Sequence, residues 1–97
     1  MAAISYAPRA LSDLQRLTDF LRESDPPAAA QTAELIISAV EALQSHPLLG
    51  RPVESDFREL VISRGRSGYL ALYRYDEARD RLLVLTMRHQ REAGYTG

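Results

Sequence analysis

The chain contains no cysteine and no lysine, and each absence closes off a class of chemistry. Without cysteine there is no disulfide framework, no Cys-based zinc site and no thiol nucleophile. Without lysine there is no amine for Schiff-base or tunable acid–base work. All 12 basic residues are arginine, a fixed, planar, bidentate cation. Histidine occurs only at His46 and His89, and neither has a second His or Cys at ligand spacing, so no metal and no cofactor is expected. Glycine and proline number five each, too few for a collagenous or linker-like chain. Long apolar runs are missing as well: Leu82-Leu83-Val84-Leu85 is the longest purely aliphatic run of Leu, Ile and Val, far short of a membrane span. Pro8 and Arg9 interrupt any apolar leader, so the expectation is a cytoplasmic protein without a targeting signal.

What is present is ordinary for a small globular fold. With 97 residues, 45% of them hydrophobic, and a net charge of −1, residues 1–97 are expected to form one domain with one modest core. The charge is unevenly placed. Residues 1–50 carry three arginines against six acids, and residues 51–97 carry nine against seven.

Periodicity divides the chain. Ala3-Ile4-Ser5-Tyr6 alternates and reads as a strand. Pro8 suits the first turn of a helix, and Ala10, Leu11, Leu14, Leu17 and Leu21 then recur at helical spacing, with Asp13 and Arg16 assigned to the polar side. Asp25 reads as the N-cap of a second helix with Pro26 at its first position. Its stripe runs through Ala29, Ala33, Ile36, Val40 and Leu43, widened by Ile37, and Pro47 forces an end near Ser45-His46, where His46 suits a helix C-terminus. Leu14, Leu17, Leu21, Ile36, Val40 and Leu43 are expected to be mostly buried. After a loop, Pro47-Leu48-Leu49-Gly50-Arg51-Pro52, the period becomes two: strands over 58–63, 69–75 and about 82–88, joined by short turns, form an antiparallel meander. The order βααβββ is an α+β fold, an αα-hairpin covering one face of a small antiparallel sheet.

Three groupings have chemical potential. Gly65-Arg66-Ser67-Gly68 has a superficial likeness to a nucleophile elbow, but the second glycine comes one position early and no strand–turn–helix context follows, so a hairpin turn is the better reading. Tyr69, Tyr73 and Tyr75 share one strand face. They could stack bases, but no arginine ladder interleaves with them, and packing under the hairpin is the simpler reading. On the opposite face Arg74 ends an apolar row and calls for a carboxylate partner, such as an internal ion pair. The tail, Arg88-His89-Gln90-Arg91-Glu92-Ala93-Gly94-Tyr95, is the densest cluster, able to bind an anion or to exchange protons.

Tyr6-Ala7-Pro8-Arg9-Ala10 with Asp13-Leu14, the 47–52 loop, Arg58-Glu59-Leu60, Gly68-Tyr69-Leu70-Ala71-Leu72-Tyr73-Arg74 and Arg88-His89-Gln90-Arg91-Glu92 together resemble the toxins of the RelE/ParE superfamily, partners in type II toxin–antitoxin operons. The match spans nearly the whole chain in order and spacing. It implies the same βααβββ fold, a cognate ParD-like antitoxin as partner and one of two activities. RelE-like members are ribosome-dependent endoribonucleases that use basic residues and a C-terminal tyrosine; ParE-like members keep the scaffold without that site and act on DNA gyrase. Here the two lysine positions of the cleaving pattern fall at Val61 and Ser63, the arginine after Gly-Tyr is Leu70, the tail arginine is His89, and Tyr95 is retained. Cleavage requires cations around a developing charged phosphate, and the three at Val61, Ser63 and Leu70 are missing. A net charge of −1 also suits ribosomal RNA poorly. The resemblance therefore implies a ParE-like, non-enzymatic toxin without sequence-specific nucleic-acid binding or membrane association, with Arg58, Arg74, Arg88, His89 and Arg91 as antitoxin or target contacts. An acidic, amphipathic antitoxin tail would lie across the helical hairpin and reach these arginines. The alternatives are an mRNA endoribonuclease using His89, Arg91, Glu92 and Tyr95, or a toxin relic that only binds its antitoxin.

Overall fold

The computed structural model describes residues 1–64 and 67–92, the side chains of Arg64 and Ser67 excepted. Strand β1 spans Ala3–Tyr6 and helix α1 Pro8–Arg22, with the proline in the first turn as its missing N–H allows. Helix α2, Pro26–Glu41, opens on Asp25, whose carboxylate accepts the Ala28 N–H at 3.2 Å. A 3-10 turn over Ala42–Gln44 ends it ahead of Pro47. The backbone N–H of His46 bonds to the Ala42 carbonyl, while the imidazole is exposed.

Of the six expected hairpin residues, Leu17, Ile36, Val40 and Leu43 are buried and Leu14 and Leu21 half-buried. Two assignments on α1 change. Leu11 is 53% exposed, and Asp13, assigned to the polar side, is 3% exposed. The geometry explains both: Asp13 lies three residues after Ala10 and four before Leu17, within the apolar stripe, and Leu11 lies beside it.

The remaining strands are β2, Arg51–Pro52, β3, Phe57–Arg64, β4, Ser67–Asp76, and β5, Arg81–His89. They form one five-stranded sheet in the order β1-β5-β4-β3-β2. The expected antiparallel meander is β3-β4-β5. Two pairings join it. β1 runs parallel to β5, with Ile4 opposite Leu82, so the sheet is mixed. The short β2 pairs antiparallel with β3, an edge position where proline costs no ladder bond. Arg51 secures that edge through its guanidinium on Glu59, at 3.0 and 2.5 Å.

Helix α1 packs on β5 and α2 on β3, which places the core on one face of the sheet. Tyr69, Ala71 and Tyr73 of β4 meet Leu60, Ile62, Leu82, Val84 and Met87 there. Tyr69 and Tyr73 are core residues and no stacking platform. Tyr75 is half-buried at the margin, its hydroxyl donating to Asp80 at 2.7 Å. Among the described residues the internal ion pair expected at Arg74 does not form: that side chain is exposed, and the buried charges are Asp13 and Glu59. β5 holds one extra residue. Leu72 faces Thr86 while Tyr73 faces Val84, and Leu85 forms a bulge between them.

Candidate functional site

Just past this bulge, β5 presents two donors to α1. The Thr86 hydroxyl and the Met87 N–H both donate to Asp13 Oδ2, at 2.5 and 2.9 Å. The other carboxylate oxygen faces Arg16 at 3.5 Å and Arg9 at 3.9 Å. Arg16 then reaches across to the tail, where its Nη1 meets Glu92 Oε2 at 2.6 Å. Glu92 closes a turn over 89–92: its N–H donates to the His89 carbonyl at 3.0 Å, and its Oε1 accepts the His89 N–H at 2.8 Å. Arg88 Nη1 donates to the Glu92 carbonyl at 2.7 Å. The tail is thus tied to the first helix through one chain of charge-assisted bonds.

His89 sits inside this network with a defined orientation. Its Nδ1 accepts the Arg91 N–H at 3.0 Å, which leaves the proton of the neutral ring on Nε2. The ring meets Tyr69 edge-on, centroids 5.2 Å apart and planes at 85°. Beside it runs a groove of about 520 Å³ between α1 and the end of β4 and β5, walled by Phe20 and floored by Leu17, Leu21 and Tyr69. Arg91 is exposed at its mouth. Such a cluster can hold an anion. Proton transfer through Nδ1 would first require breaking its bond to the backbone.

Burial alone would raise the Glu92 carboxyl, but the His89 N–H and the Arg16 guanidinium outweigh it and hold the group below its ordinary value of 4.5. The carboxylate is therefore favoured in the folded state. It contributes stability above the unfolded pKa, and that contribution is lost as pH falls through the folded value. In urea titrations across pH, the wild type should lose stability as the pH falls below the ordinary value of 4.5, and Glu92→Gln should lack that component of the slope. An unchanged slope in the variant would mean that neither the His89 N–H nor the Arg16 guanidinium holds the carboxylate in solution.

The other predicted residues lie elsewhere. Val61 stands opposite Leu70 and Ser63 opposite Gly68 on the sheet face away from the helices. Leu70 in turn faces Arg88 on β5. The row is therefore Val61, Leu70 and Arg88, with the Arg88 Nη1 turned to the carbonyls of the 89–92 turn. Arg58 and Arg74 line a separate hollow of about 460 Å³ with Asp56, Asp76 and Glu77. Arg74 stands five residues from Tyr69 on β4, about 17 Å along an extended strand. Arg58 holds the 48–50 loop by donating to the carbonyls of Gly50, at 2.8 Å, and Leu48, at 3.2 Å. The structure therefore brings Arg88, His89, Arg91 and Glu92 together and leaves Arg58 and Arg74 apart from them; Tyr95 lies outside the described residues. Sequence reasoning missed Asp13 and Arg16 as the anchors of the cluster, although the position of Asp13 between Ala10 and Leu17 marked it as buried. Among the described residues no group of three or more His, Asp or Glu side chains could hold a metal ion, and no helix is long and apolar enough to cross a membrane.

Comparison with known proteins places this architecture. A family model for the ParE toxin of the parDE type II toxin–antitoxin system matches residues 4–94. The chain belongs to the ParE toxin family. Within the wider superfamily, the protein named toxin RelE3 of Caulobacter vibrioides is 37% identical over 93 residues, which is 95% of this chain and 98% of that protein. Among solved structures, a chain of the chromosomal ParDE system from P. aeruginosa superposes with a TM-score of 0.76 at 22% identity, over 92% of this chain and 96% of the other. A chain of the RelBE2 toxin–antitoxin complex from Mycobacterium tuberculosis gives 0.56, also at 22% identity, over 92% and 98%. At that identity the two structures support the fold, which is the two-helix, mixed-sheet arrangement of ParE and RelE toxins.

Proposed function

We propose that this ParE-family toxin is non-enzymatic, acts on DNA gyrase and is held inactive by a cognate ParD-like antitoxin. The carrying observation is the outer sheet face. Val61, Ser63 and Leu70, the positions at which the cleaving pattern places cations, sit side by side on β3 and β4, and none of them is charged. A 2′-oxygen attacking a phosphodiester there would meet an apolar surface, whereas cleavage depends on preorganised donors around the developing charge. Arg88 completes the row, but its Nη1 is committed to backbone carbonyls. The exposed arginines Arg74 and Arg91 supply charge for an acidic antitoxin segment, with Arg58, Arg88 and His89 holding the backbone beside them.

A second reading, mRNA cleavage, is favoured by a different observation: His89, Arg91 and Glu92 cluster beside an open groove, and the Caulobacter relative is named a RelE toxin. The two readings separate in one experiment. Expression without antitoxin should stop DNA replication and induce filamentation while translation continues at first, and purified protein should inhibit supercoiling by gyrase and leave ribosome-bound mRNA intact. Codon-phased cleavage of mRNA on ribosomes, abolished by His89→Ala, would overturn the gyrase reading in favour of the second. Inertness in both assays with retained antitoxin binding would identify a relic.

A further inference from the structure

Phe20 is 80% exposed on α1, and it stands at the edge of the groove floored by Leu17, Leu21 and Tyr69. A single exposed apolar side chain needs no explanation. A protruding ring directly beside an apolar hollow is different, because knob and hole then belong to one patch and a second copy can satisfy both at once. Such a patch is self-complementary and closes as a two-fold pair rather than growing into a filament.

The charges beside Phe20 fix the orientation. Residues three and four apart share a helix face, so Arg16, Phe20 and Glu23 lie in one row. Glu23 keeps helical dihedrals, φ −67° and ψ −36°, as the residue closing α1, and is exposed. With a rise of 1.5 Å per residue, two α1 helices crossing antiparallel at Phe20 bring Arg16 of one copy to within about 1.5 Å, along the axis, of Glu23 of the other. A parallel crossing would oppose Arg16 to Arg16 and Glu23 to Glu23. Arg16 already meets Glu92 through Nη1, and its five N–H donors leave capacity for a second carboxylate.

We infer that the chain forms a weak, isologous dimer in which each Phe20 enters the other copy's groove and Arg16 pairs across the axis with Glu23. An aromatic side chain buries about 150–250 Å², so two rings and their surroundings fall short of the roughly 1,200 Å² of a stable interface, and the dimer is expected only at high concentration. The partner's ring would lie against His89 and Arg91, so self-association covers the cluster at the end of β5. That consequence, unlike the dimer itself, rests on taking this cluster as functional.

Sedimentation of the purified full chain, from low-micromolar to near-millimolar concentration, tests the inference without reference to gyrase or ribosomes. The wild type should shift from monomer towards dimer. Phe20→Glu should remain monomeric with an unchanged circular dichroism spectrum, and Glu23→Arg, which opposes two cations, should weaken association at least several-fold. A wild type that stays monomeric throughout would overturn the proposal. A dimer insensitive to Phe20→Glu would place the interface elsewhere, and association strengthened by Glu23→Arg would refute the antiparallel pairing.

Discussion

Replacing Asp13 with alanine is expected to destabilise the protein by about 4 kcal/mol, close to the cost of removing one partner from a buried ionic network. The carboxylate is 5% exposed and serves both sides of the α1–β5 contact. Its loss leaves the Met87 N–H and the Thr86 hydroxyl buried without an acceptor, at about 1–3 kcal/mol for each unsatisfied donor. The arginines are a smaller part of the effect. Arg9 and Arg16 are each 44% exposed and can turn to water, so Arg16→Ala should cost about 1 kcal/mol. Asp13→Asn, which keeps one carbonyl oxygen for the β5 donors, should fall between the two. For a chain of this length, the alanine variant should melt about 20 °C lower. Chemical denaturation of the three variants checks the ranking. Equal losses for Arg16→Ala and Asp13→Ala would show that the ionic arm, and not the bonds to β5, holds the helix.

The consequence reaches the candidate site. Asp13, Arg16 and Glu92 form one path from the first helix to the tail, so loosening α1 on β5 also frees the turn that orients His89. A variant that impaired toxicity through Asp13 would therefore be acting on position and not on contact with the target. The His89–Arg91 cluster is built by a residue 76 positions upstream of Glu92.

That separation marks what the sequence makes legible and what it does not. Both helices and the β3-β4-β5 meander follow from local periodicity, and the two residues Asp25 and Pro26 mark the start of α2. The parallel pairing of β1 with β5 has no local signature, because the two strands are joined only through the helical hairpin and the meander. β2 has none either, being two residues long and carrying Pro52. Among the candidate residues, Arg88, His89, Arg91 and Glu92 stand together in the chain and remain together in space. Arg58 and Arg74 are basic residues of the same half, but strand register carries them to the far end of the sheet. The burial of Asp13 was legible in its spacing and was obscured by its charge: polarity assigned it to the solvent side, and two donors from a bulged strand hold it in the core.

The loop at the other end of the sheet should prove equally intolerant of a single methyl group. A Cβ at Gly50 would lie 2.6 Å from Tyr73 Cε1 and 2.7 Å from its hydroxyl, with the Glu59 carbonyl at 3.0 Å on another side. Tyr73 cannot yield easily. Its ring is fully buried, and its hydroxyl donates to the Pro47 carbonyl at 2.7 Å while accepting the Gly50 N–H at 2.8 Å. Gly50→Ala therefore forces the ring or the β3 backbone to move and breaks those bonds, for an expected cost of about 3 kcal/mol, at the upper end of overpacking effects. Tyr73→Phe keeps the packing and orphans the buried Gly50 N–H and the half-buried Pro47 carbonyl, for about 2 kcal/mol. The two changes strike the same contact, so the double variant should cost about 1 kcal/mol less than the two single costs combined. Denaturant midpoints of the four proteins measure this directly. A Gly50→Ala variant within 0.5 kcal/mol of wild type, the range of inconsequential surface changes, would mean that the ring shifts freely and that the loop carrying the exposed Leu48 and Leu49 is not clamped by Tyr73.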